Sequence, residues 1–179
     1  MNLKNIKIIS FISIIIFSFL SHFMYGWFPN SIISIFFPVN ESIWEHMKIL
    51  YTSILFGGLV EYILLKIYKI DTCNFNLQLI ISSYLSIIIY LIIYLPIFLL
   101  FGENLIVSIS LMILVYGIIE IISYFIMKNK CIKWNISLGI LIIIIGYFIF
   151  IYFTYNPPHN FIFYDNSDGY YGIKTENDY

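Results

Sequence analysis

Five apolar runs decide what this chain can fold into. They occupy residues 6–28, 42–66, 77–101, 104–127 and 136–155. A bilayer core takes about 20 apolar residues as α-helix. Inside it every backbone N–H and C=O must be paired within the protein, which leaves helices and closed barrels as spanning structures. The runs are continuous and lack strand alternation, so they predict an all-α, polytopic membrane helix bundle. A soluble alternative fails on area. Of the 179 residues, 61% are hydrophobic and 11% charged, roughly half the usual charged fraction, and a fold of this size has too much surface to hide them. Residues 1–155 are expected to form the transmembrane domain, and 156–179 an extracytoplasmic tail.

The first run follows Lys4 and Lys7, as a signal peptide would. It is longer than a usual signal core and no small-residue cleavage site follows, so it reads as a retained span. Between Pro29 and Pro38 lies an apolar segment too short to cross; it is expected to be re-entrant or interfacial on the outer side. Ser42-Ile43-Trp44-Glu45 has the pattern of a capping box opening the second span. Pro157 and Pro158 stop the fifth, because neither ring nitrogen can donate to the helix ladder.

Orientation follows from lysine placement. Lys4, Lys7, Lys66, Lys69, Lys128, Lys130 and Lys133 fall at one end of alternating spans, against Lys48 and Lys174 at the other. The N-terminus is then cytoplasmic, the tail is outside, and the protein is a multi-pass protein of the cell membrane. Trp27, Trp44 and Trp134 all fall at span ends, as an aromatic belt requires. Cys73 and Cys131 fall in the cytoplasmic loops, where thiols stay reduced, so free thiols are expected. A net charge of −1 and the absence of arginine give nucleic acid nothing to bind. The lipid bilayer is the one partner the composition names.

The outer end collects the unusual side chains. His22 ends span one, His46 starts span two and His159 follows span five; Glu41 and Glu45 stand four residues apart. Imidazoles and carboxylates at one surface can bind a divalent metal ion or run acid–base chemistry. Glu45 and His46 are the catalytic candidates, and His22, His46, His159, Glu41 and Glu45 the candidate metal ligands. No His-Glu-x-x-His motif is present, and the plainer reading is helix capping by Glu45 with interfacial histidines. Deeper in the spans lie Glu61 and Glu120, each about 24 Å below the outer end of its helix. Acids there usually face a bundle interior, so they are candidates for substrate binding or proton coupling. The plainer reading places them at the inner interface near Lys66 and Lys128. Gly57, Gly58 and Gly117, one turn above these acids, are expected to bring spans two and four together.

Two segments carry a family resemblance. Pro38-Val39-Asn40-Glu41-Ser42-Ile43-Trp44-Glu45-His46-Met47-Lys48, followed by Glu61-Tyr62, resembles the signature of a bacterial family of small multi-pass membrane proteins, domain of unknown function 6512. Thr154-Tyr155, Pro157-Pro158, Asp165 and Tyr171-Gly172 are similar to that family's ending. The resemblance implies class and location but no activity. It groups Asn40, Glu41, Trp44, Glu45, His46, Pro157 and Pro158 as one outer-face unit.

Three functions fit the sequence. The first is an outward-facing polar site, metal-binding or hydrolytic. The second is a small ion- or proton-coupled transporter using Glu61 and Glu120, for which five spans would call for a homo-oligomer. The third is a non-catalytic membrane partner or assembly protein.

Overall fold

A computed structural model of the chain describes residues 1–174; the last residues of the tail, 175–179, lie outside it. The described residues form six helices: α1 Leu3–Trp27, α2 Ser31–Phe36, α3 Ile43–Ile67, α4 Phe75–Phe101, α5 Leu105–Lys128 and α6 Ile136–Tyr155. All but α2 are long and apolar enough to cross a membrane. Polar side chains set their starts. Asn2, Asn30, Ser42, Asn104 and Asn135 each accept a hydrogen bond from an amide of the first turn, satisfying donors that have no partner within the helix.

α3 is the axis of the bundle. It packs against α1 and α4, while α5 packs against α1 and α4, and α6 against α4. Of the long helices it is the most enclosed, with 61% of its apolar window buried. Lipid-facing positions are apolar instead, as at Phe101 and Ile106. The interior is cross-linked by tyrosines. Tyr116 donates to Ser18 Oγ at 3.1 Å, Tyr51 to the Ile143 carbonyl at 3.0 Å, and Tyr90 pairs with Ser108 at 2.9 Å. In a bilayer such bonds join helices that hydrophobicity alone does not draw together.

The segment between Pro29 and Pro38 folds into the end of the bundle. Thr52 Oγ1 donates to the Phe36 carbonyl at 2.8 Å, and the Phe36 ring meets Tyr147 at 5.0 Å. Thr52 and Tyr147 lie about 12 Å inside the ends of their helices. The chain therefore dips by that much before it returns at Val39.

Two expectations are corrected. The glycines do not join α3 to α5. Gly57 faces Ile14 of α1, Gly58 faces Leu79 of α4, and Gly117 meets only Phe11 of α1. A small residue marks a close approach without naming the neighbour. Nor are the cysteines free: Cys73 and Cys131 form a disulfide, with Cα atoms 5.6 Å apart. Asn74 explains the meeting. Its Nδ2 donates to the carbonyls of Ile126 and Asn129 at 3.1 and 3.0 Å, and its Oδ1 accepts from the Ile132 amide at 2.9 Å. This clamp ties the α3–α4 loop to the α5–α6 loop, a contact that sequence distance conceals.

Candidate metal centre

The centre is built from three pieces of backbone. α1 carries His22 near its C-terminal end, the loop before α3 carries Glu41, and the first turn of α3 carries His46. Glu41 reaches both imidazoles: Oε1 lies 3.4 Å from His22 Nε2 and Oε2 lies 3.5 Å from His46 Nε2. The rings are nearly parallel, 2° apart, with centroids at 6.5 Å. One ligand atom from each residue lies within 4.8 Å of the other two. His46 is buried, and its Nδ1 has no hydrogen-bond partner. The imidazole of His46 beside Glu41 holds that carboxyl below its ordinary pKa, with the charge of His22 adding to the effect and partial burial opposing it.

The loop carrying Glu41 is held by the tail. Asp165 is buried and its Oδ2 accepts the Glu41 amide at 3.0 Å. Its Oδ1 accepts the amides of Ser167 and Asp168, so a tight turn fixes the carboxylate. Asn40 Nδ2 donates to the Gly172 carbonyl at 2.8 Å, and the Trp44 amide to the Ile162 carbonyl at 2.9 Å. The Trp44 ring, expected at a membrane boundary, sits among Phe150, Phe153 and Phe163. Gly172 has φ +64°, and an added Cβ would run into the Thr154 carbonyl and the Pro157 ring. The resembling segments thus meet as one unit.

Glu45 has a different set of contacts. Its carboxylate pairs with Lys48 Nζ at 2.6 Å and accepts from Thr154 Oγ1 at 2.7 Å and the Val39 amide at 3.1 Å. Lys48, fully buried, also donates to the Ser34 carbonyl at 3.0 Å. Only half of the capping box forms: Ser42 Oγ accepts the Glu45 amide, while the Ser42 amide donates to Asn40 Oδ1. His159 stands apart, stacked on Tyr171 at 4.5 Å. Sequence reading placed Lys48 at this end and Thr154 and Asp165 in the resembling segments, but gave none of the three a role in the site. The spacing of Glu45 and Lys48 on one helix face was a readable signal; nothing in the sequence paired Thr154 with them.

Two cavities flank the triad. A cavity of about 260 Å³ runs between α1 and α5, walled mostly by apolar side chains, with Ser18, Ser108, His22 and His46 also in its lining. Another of about 470 Å³ lies over the same end of the bundle, with His22, Glu41, Asn40, Asp165 and Asp168 among its walls. His22 belongs to both, so the triad stands between an apolar space and a polar one.

Glu61 and Glu120 do converge, at the other end of the bundle. Lys7 Nζ sits between them, 2.6 Å from Glu61 Oε1 and 3.5 Å from Glu120 Oε2. Ser10 Oγ donates to Glu120 at 2.8 Å, and Lys7 donates to Ser123, which donates to Gln78. Their cationic partner is thus a buried lysine of α1, not Lys66 or Lys128.

Residues 1–173 match the sequence model of a family described as a family of unknown function, DUF6512. No curated protein and no solved structure matches the chain.

Proposed function

The chain belongs to that family, DUF6512, and we propose, from its own geometry, that this multi-pass membrane protein binds a divalent metal ion through His22, Glu41 and His46 and uses it for hydrolysis. The observation that carries this reading is the convergence of the three ligand atoms within 4.8 Å. Two imidazoles and one carboxylate suit zinc and related ions. Three protein ligands leave a coordination position for water or a substrate oxygen, which distinguishes catalytic from structural zinc sites. Glu45 then acts as a positioning residue. Its ion pair with Lys48 holds the first turn of α3, and with it His46.

In the same reading the lysine bias makes the lysine-rich end cytoplasmic and the metal centre extracytoplasmic, against the Cys73–Cys131 disulfide, which by itself favours an oxidising side for the lysine-rich loops. Lys7 and Lys48 are buried and do not belong to the loop count. The remaining bias still runs from Lys4, Lys66, Lys69, Lys128, Lys130 and Lys133 at one end to Lys174 at the other.

The test is metal content. The full chain, purified in detergent and loaded with zinc, should hold about one ion per chain, as three convergent ligands allow. His22→Ala, Glu41→Gln and His46→Ala should each lose it, and His159→Ala should keep it. Equal zinc in the wild type and the His46→Ala variant would overturn the assignment.

A further inference from the structure

We infer that the substrate of this centre is a single-chain acyl ester or amide lipid with an uncharged or cationic head, its chain lying in the cavity between α1 and α5. This rests on the metal reading and adds the substrate class. The cavity follows α5 from Leu105 to Tyr116, a rise of about 16 Å, or half of a roughly 30 Å hydrocarbon core. It is therefore as deep as one leaflet. Its floor is the Tyr116 ring, held by the hydrogen bond to Ser18. At about 260 Å³ it falls just below the roughly 300–1,000 Å³ of pockets for compact ligands, which suits a narrow chain. Its rim residues Phe19, Phe23 and Leu105 are exposed on spans that face lipid, so a chain can enter sideways from the membrane.

The chemistry follows from what stands at each end. His22 and His46 line the mouth. A chain lying in the cavity brings its first polar group, the acyl carbonyl, to the ligand set. Beyond them the polar cavity receives the head. Its walls carry Glu41, Asp165 and Asp168 and no lysine, so an anionic phosphate head would meet like charge. Water reaches the centre from that same side. In the reaction the water oxygen bonds to the acyl carbon and the bond from that carbon to the head oxygen or nitrogen breaks. One water proton goes to the leaving head, and the products are a fatty acid and an alcohol or amine.

The experiment uses the full chain in nanodiscs with zinc, a monoacylglycerol carrying a photoreactive group at its chain end, and a lysophosphatidic acid carrying the same chain. Labelling should fall on α1 and α5 near Tyr116, and fatty acid should be released from the monoacylglycerol only. Ile109→Trp, which fills the cavity, should lower labelling and release by about tenfold, the effect of roughly 1.4 kcal/mol of lost binding, while zinc content stays. His46→Ala should lose zinc and release but keep labelling. Ile113→Trp repeats the block at a second wall position should the first variant fold poorly. Labelling spread over the lipid-facing surfaces of all helices, or unchanged by either tryptophan, would overturn the lipid assignment while leaving the zinc result standing. Equal release from both lipids would overturn the head-group assignment.

Discussion

At the scale of single residues, the two carboxylates four positions apart have opposite surroundings, and their variants should separate. Glu45 is buried against Lys48. Removing one partner of a buried pair leaves an unpaired charge, at a cost of about 3–5 kcal/mol. Glu45→Gln should therefore lower the thermal midpoint in detergent and reduce accumulation, whereas a capping role alone predicts little change, since glutamine also closes a capping box. Glu41 is partly open to solvent, at 37%, and Glu41→Gln should lose metal with little loss of stability. Acid should separate them again. The pKa of Glu41 is depressed, so its ionised form persists at and above the usual carboxylate range and is lost only as pH falls through its lowered folded value. Protons compete with a metal ion for carboxylate and imidazole ligands alike. Zinc release followed by a chelator dye should therefore rise as the pH falls; zinc held unchanged down through the carboxylate range would argue against these ligands. The inner acids follow the pairing rule as well. Lys7→Met should destabilise the bundle, and adding Glu61→Gln should restore part of the loss by removing one of the two carboxylates left without their lysine.

At the scale of elements, helix number and limits were legible because they depend on local runs and caps. Ser42 and Asn104 start helices that the sequence alone places within a residue or so. Neighbours were not legible. The glycines predicted a contact between α3 and α5 that belongs to other pairs. Gly139 of α6 packs onto Asn76 and Ile80 of α4, while Gly117 has room. Gly139→Leu should therefore cost more stability than Gly117→Leu, overpacking typically costing about 1–3 kcal/mol; a larger effect at Gly117 would contradict the packing. The loop disulfide was missed for the same reason. Protein alkylated without reduction should show no added mass, and reduction first should expose both cysteines. Added mass without reduction would mean that the Asn74 clamp does not hold the loops together. Within the site, the pairing of His22 with His46 was readable from their shared depth. The exclusion of His159 was not, because its position depends on where the tail folds after Pro158.

At the scale of the whole molecule, the bundle separates two buried charged clusters, one near each end. Lys7, Glu61 and Glu120 tie α1, α3 and α5 together at one end. Glu45, Lys48 and Thr154 tie α3 to α6 at the other. A reporter active only in the cytoplasm should work after Lys130 and fail after Tyr179; activity at the second position would reverse the orientation. The hold of the tail on the Glu41 loop also has a consequence in time. A ribosome delivers residues 38–46 well before residues 160–172, and insertion proceeds from the N-terminus. The spans can enter the membrane one after another, yet Glu41 gains its Asp165 anchor only when residue 165 has emerged. A chain whose synthesis stops after α6 would hold every span and all three ligands but lack the brace that sets one of them. The proposed metal centre would then be set only once residues 160–172 have been made, and not when the spans alone are in place.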